Sequence, residues 1–379
     1  MLKSGVKLVS IICVLAVLLS GCSRLADVRL RLVVHAIGVD IDEEGVYSVS
    51  YQVFSSNPPE GGGPVDANKG NVMTYMTYGR TLYEAQKSLE LQTGKEVFTG
   101  DVELIVLGLG MVGRDVSQVL SYFWSDTDIY MGVNAVFSSG LASDIIGVQL
   151  EQGTATTELL NQMIISSVAN GTTIPARLIE ISNCFEEPGA SIVMPVLTAK
   201  EADNSKGKED SDVYDMATGV FENMLIVNKI PTVYVTRDET KGISILTGGK
   251  KKYSLTFMSD GQRISAGADL SRVSRKIRID DSGNPVLSID IRGELTVLDN
   301  PTLVDNDIIN EAAREDIIRL CREAYDKTVS SYGADVLEIG KLLRKHCNKY
   351  YETVKDDISQ AIRKTSCEVS VSLKIYENE

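Results

Sequence analysis

The chain has 379 residues, with 38 basic against 52 acidic side chains and a formal net charge of −14. A hydrophobic fraction of 43% and a charged fraction of 24% exclude a multi-span membrane protein, a collagen-like chain and a wholly disordered one. The acidic balance gives no general attraction for nucleic acid, and two histidines, His35 and His346, leave little material for imidazole chemistry.

Residues 1–21 read as a signal peptide. Lys3 and Lys7 make a short positive start, and Leu8 to Leu19 is an apolar run of twelve residues. A spanning helix needs about 20. The run ends in Leu19-Ser20-Gly21-Cys22, which resembles the lipobox of bacterial lipoproteins. That resemblance implies that Cys22 is lipidated and becomes the new N-terminus. Removing residues 1–21 takes away two lysines and leaves a charge of −16. Acyl chains, rather than a basic patch, are therefore expected to hold the body on a bilayer.

Residues 33–54 predict a β-hairpin. Val33 to Ile41 is mostly apolar, Asp42-Glu43-Glu44-Gly45 supplies the turn, and Tyr47, Val49, Tyr51 and Val53 alternate with polar residues. Residues 55–71, rich in Pro and Gly, read as a loop. A strand over Val72 to Tyr78 follows, then a helix headed by Thr81 and Glu84 at capping-box spacing. Strands at 102–107 and 133–137 enclose a helix at 115–124, the alternation of an α/β unit. Helix returns over 157–184, punctuated by Gly171 and Pro175, and Ser191 to Leu197 predicts a closing strand. Residues 199–213 carry almost no large apolar side chains and read as a solvated linker.

The last part, from about residue 214, predicts strands near 215–227, 231–236, 242–247, 252–258 and 286–298. Ile309, Ala313, Ile317, Leu320 and Ala324 mark one face of a long helix. A second helical stretch runs from Val336 to Ile362, with Gly340 as a kink or break. Cys367, Val369, Val371, Leu373 and Ile375 share one face of a final strand. One-sided helices and one-sided strands predict a two-layer C-terminal domain. The expected organisation is a signal peptide 1–21; an N-terminal region 22–198, with a hairpin subdomain of 30–55 plus 150–198 and an inserted α/β subdomain 72–149; a linker 199–213; and a C-terminal domain 214–379.

No H-E-x-x-H or G-x-S-x-G motif is present, and the two S-x-x-K spacings, Ser4 to Lys7 in the expected signal peptide and Ser205 to Lys208 in the expected linker, support no acylating enzyme. Gly248-Gly249-Lys250-Lys251 lacks phosphate-loop spacing and reads as a hairpin tip. Asp40, Asp42, Glu43 and Glu44 lack the twelve-residue calcium loop with its terminal Glu and read as a solvated turn. His35 reads as a core or edge histidine. Trp124 reads as packing, with a recognition pocket as the alternative. The cysteines beyond Cys22, namely Cys184, Cys321, Cys347 and Cys367, form no C-x-x-C pair. Buried thiols are expected, with one disulfide left open. No cofactor, metal or catalytic residue is assigned.

Asp27-Val28-Arg29-Leu30, Ala36-Ile37-Gly38-Val39-Asp40 and Tyr47 to Val53 resemble the opening of the Ger(x)C family, the lipoprotein C subunits of spore germinant receptors. Gly79-Arg80-Thr81-Leu82-Tyr83-Glu84-Ala85, Val102 to Gly108, Gly219-Val220-Phe221-Glu222-Asn223 and Tyr332-Gly333-Ala334-Asp335 to Gly340 continue the likeness in order. Position 101, commonly His in that family, is Asp here. The resemblance implies a multi-domain α+β protein with mixed sheets and helices packed on one face. It implies a non-enzymatic subunit, anchored through Cys22 to the outer face of the spore inner membrane. Such a subunit assembles with multi-pass membrane subunits to trigger germination. Glu338 and Lys341, flanking the Gly-Ala-Asp segment, are candidates for a partner surface. A solute-binding lipoprotein of an envelope transporter is the alternative.

Overall fold

A computed structural model describes residues 30–54, 72–147, 156–200, 217–249, 252–259, 261–300 and 304–376. The signal peptide, Cys22 and most of the expected linker lie outside the described residues.

The first sheet begins with β1 (Arg31–Ile41), β2 (Tyr47–Phe54) and β3 (Val72–Gly79), an antiparallel meander. Helix α1 (Leu82–Thr93) follows; the Thr81 hydroxyl accepts from the Glu84 amide at 3.1 Å, as its spacing predicts. β4 (Glu96–Phe98) pairs beside the start of β1. β5 (Leu104–Leu107), α2 (Ser117–Ser125), β6 (Asn134–Ser138), α3 (Ala142–Ile146), α4 (Thr156–Ala169), α5 (Leu178–Glu186) and β7 (Ser191–Lys200) then alternate. β1, β5, β6 and β7 run parallel. All four residues of β5 are buried, as a parallel strand requires when both faces are covered.

Helices cover both faces of this sheet, where packing on one face was expected. Leu89 of α1, Phe123 of α2 and Ile181 of α5 join one core with Ile105 and Phe137. Ile145 of α3 and Ile164 of α4 join another with Leu104 and Val136. Successive residues of a strand point to opposite faces, so an unbroken apolar strand such as Leu104-Ile105-Val106-Leu107 needs a cover on each.

The strands expected to open the C-terminal domain extend the first sheet instead. β8 (Ala217–Val227) pairs antiparallel with β7 along its whole length, and β9 (Ile230–Val235) pairs with β8. The strand expected at 242–247 is a helix, α6 (Arg237–Thr247), opened by a capping box of Thr236 and Glu239. Gly248 ends it in the left-handed conformation, so it is a helix C-cap rather than a hairpin tip.

The second sheet has the order β10 (Lys252–Ser259), β11 (Gln262–Ile279), β12 (Pro285–Asp299) and β13 (Ser366–Ile375). The eighteen-residue β11 was not anticipated. Its register with β12 shifts between Asp269 and Arg272, opposite Gly293, which supplies the room for the backbone to bulge. β13 lies parallel to β12, with the predicted face from Cys367 to Ile375 turned inward. The long helix α7 (Asn306–Tyr325) buries Ile309, Ala313, Ile317, Leu320 and Ala324, as the period of the sequence predicts. A π-turn (Asp326–Ser330) follows. The second helical stretch is three short helices, α8 (Ile339–His346), α9 (Asn348–Val354) and α10 (Ile358–Lys364). Helices on one face of this sheet form the expected two-layer α+β arrangement, and its core is continuous with α6 and with Leu225 and Val235 of the first sheet.

Candidate functional site

The two sheets meet where the Gly-Ala-Asp segment passes the start of β7. Gly333 turns with φ +63°, and a Cβ there would lie 2.7 Å from Arg363 Nε and 3.1 Å from the Ser359 carbonyl oxygen. Only glycine fits that combination of sign and space. The turn delivers Asp335 to a parallel bridge with Ala190, and the Ser191 amide donates to the Asp335 carbonyl at 3.3 Å. The Asp335 carboxylate points the other way. It accepts from the Ile339 amide at 2.5 Å and the Gly340 amide at 2.7 Å, capping the start of α8.

Asp335 is 5% exposed. Burial raises its pKa to about 6, outweighing the two amide hydrogen bonds that pull it down. Glu338, at the head of α8 with φ +55°, contacts Arg275 of β11 at 3.3 Å and Lys341 at 3.1 Å. Arg344 reaches Glu187 at 3.0 Å and links α8 to the loop after α5. That pair is about half exposed at both ends, so it fixes geometry more than it adds stability.

A cleft of about 500 Å³ opens between these parts, lined in part by Cys184, Glu187, Ser191, Asp335, Glu338 and Lys341. Burial pushes the Cys184 thiol up to about 12, which keeps it protonated and weakly nucleophilic. Both Asp335 oxygens are occupied by backbone amides.

Glu338 and Lys341, the candidates for a partner surface, are at this cleft and exposed. Cys184 and Glu187 joined it without a sequence signal, because the link from Glu187 to Arg344 of α8 spans 157 positions. Cys184, Cys321, Cys347 and Cys367 are free thiols in this structure. Trp124 packs edge-on against Phe185 with ring centroids 6.1 Å apart. His35 Nδ1 lies 3.1 Å from Asp101 Oδ2. Asp40 is not in a solvated turn. It is buried and accepts from the Ala142 and Ser143 amides at 2.8 and 3.1 Å, capping α3, and burial raises its pKa. Among the described residues no three His, Cys, Asp or Glu side chains gather as metal ligands, and no helix is long and apolar enough to cross a membrane.

Comparison with known proteins follows this architecture. Residues 26–199 match the family model described as spore germination protein N-terminal domain. Residues 224–378 match the model described as spore germination B3/GerAC like, C-terminal. The crystal structure of the GerBC protein is similar to this chain with a TM-score of 0.56 at 18% identity, over 90% of this chain and 97% of that one. No curated protein matches the sequence. With both halves matched in order and the whole fold shared, the chain belongs to the GerAC, or Ger(x)C, family of spore germination proteins, the germinant-receptor C subunits.

Proposed function

We propose that this chain is a lipid-anchored, non-enzymatic subunit of a nutrient-germinant receptor, held on the outer face of the spore inner membrane through Cys22. It assembles there with multi-pass membrane subunits and helps to trigger germination. The observation that carries this reading is the match of both family models in order, beginning at residue 26, four residues after the lipobox cysteine. The anchor supports it physically, because each acyl CH₂ placed in a bilayer contributes about 0.8 kcal/mol and two chains hold a protein stably. The exposed pair Glu338 and Lys341, at the mouth of the cleft, is the surface we assign to a partner subunit.

The test combines acyl labelling with co-purification from spore membranes. The wild-type chain carries label and brings down multi-pass subunits. Cys22→Ala loses the label and leaves a poorly processed precursor. Label retained on that variant overturns the anchor. Failure to capture any multi-pass protein, together with tight binding of a sugar or amino acid by the isolated chain, favours a solute-binding lipoprotein instead.

A further inference from the structure

The body is acidic, yet Arg272, Arg275, Lys276 and Arg278 place four positive charges in seven residues, with no acid between Leu270 and Ile279. All four lie on β11, whose two-residue period divides them. Arg275 turns toward the helix layer, donates to the Leu337 carbonyl at 2.8 Å and pairs with Glu338. Arg272, Lys276 and Arg278 project from the other face and are exposed. Arg278 meets Glu368 at 3.0 Å, and Arg292 on β12 meets Asp290 at 3.0 Å. Arg272 and Lys276 make no ion pair among the described residues. The register sets Arg272 directly opposite Arg292, a like-charge pairing that destabilises a sheet unless counter-charge is near.

This face lies at the anchored end of the molecule. β1, β5, β6 and β7 run parallel, so Ser191, which opens β7, sits at the same end of the first sheet as Arg31, which opens β1. Ser191 bonds to Asp335, and Arg275 bonds to Leu337 two residues on. Eight peptide units separate Cys22 from Leu30 and reach at most about 28 Å. A lipid on Cys22 therefore keeps this end close to the headgroups.

We propose that the outer face of β11 from Arg272 to Arg278, with Arg292 beside it, rests on anionic phospholipid headgroups and orients the anchored subunit on its membrane. The inference rests on the anchored reading above. Charge complementarity names the occupant, since a row of basic side chains on an open sheet face matches a plane of phosphates. The acyl chains supply affinity. The basic face supplies orientation, turning the rest of an acidic body away from the like-charged surface.

The test is lysine acetylation of the full-length protein on vesicles, read residue by residue by mass spectrometry. Flotation with phosphatidylcholine vesicles reports the anchor by itself. On phosphatidylglycerol-rich vesicles Lys276 becomes about fivefold slower to acetylate, the factor for one basic side chain at an anionic surface, while Lys349 and Lys364 do not change. High salt or the double substitution Arg272→Gln and Arg278→Gln removes the protection and leaves flotation intact. Equal labelling of Lys276 on both vesicles overturns the proposal even when the protein floats. Protection that appears only on membranes containing the other receptor subunits also overturns it, and makes an acidic protein surface the occupant.

Discussion

The Asp335 carboxylate holds the head of α8 through two amides while lying almost out of reach of water. Its folded pKa of about 6 stands above the ordinary 3.8, so the folded state binds the proton more tightly than the unfolded one. Stability from this group is therefore full at acid pH and declines as pH rises through about 6. Asp335→Asn keeps the shape and cannot titrate, so the difference between acidic and neutral melting temperatures shrinks relative to wild type. Asp335→Ala leaves both amides without an acceptor and costs about 1–3 kcal/mol at neutral pH, measured by urea unfolding. An unchanged pH dependence in Asp335→Asn would remove the carboxylate from this role. The Gly-Ala-Asp segment was visible in the sequence. Its burial was not, because Asp335 docks on the start of β7, where it pairs with Ala190 and accepts from the Ser191 amide, about 145 positions away.

At the scale of elements, α6 lies against α7 with almost no space between backbones. A Cβ on Gly242 would collide with the Leu320 carbonyl oxygen and sit 2.6 Å from Ala324 Cβ. Gly242→Ala should therefore cost about 1–3 kcal/mol by forcing the helices apart. An alanine normally favours a helix over glycine by up to about 1 kcal/mol, so a stabilised variant would contradict this packing. Leu320, 2% exposed, gives the complementary test. Leu320→Asp places an unpaired charge in the layer and should lower stability by about 3–5 kcal/mol, seen as a fall in melting temperature and protein level. Wild-type melting of that variant would sink the two-layer core. The stripe of α7 was legible because twenty residues repeat one helical period. α6 was misread as a strand because its apolar residues, Ile243, Ile245 and Leu246, are few and partly alternate. Thr236 and Glu239, at capping-box spacing, were the local signal that decides for helix.

At the scale of the molecule, the expected linker 199–213 loses Ala199 and Lys200 to β7, where they pair with Thr218 and Ala217, and residues 201–213 are the expected first site of proteolysis. β7 and β8, which flank this stretch, pair along their whole length. A cut there should give two bands on a denaturing gel and one species on gel filtration, since ten paired positions hold the pieces together. Fragments that separate under native conditions would show that the β7–β8 pairing is not what joins them.

The sequence by itself determined the lipobox at Cys22 as an expectation, most strands and helices, the inward faces of α7 and β13, and the order of motifs that marks the family. Those features are local: a period of two or 3.6 states which face of an element is apolar, and a capping residue states where a helix begins. Tertiary structure decided which sheet β8 and β9 enter, that helices cover the first sheet on both faces, and that Asp335 and Cys184 share a cleft. It also decided that Arg275 turns inward while Arg272 and Lys276 face outward. Strand pairing uses backbone groups common to every residue, so the choice of partner strand is made by the packed whole rather than by any one segment.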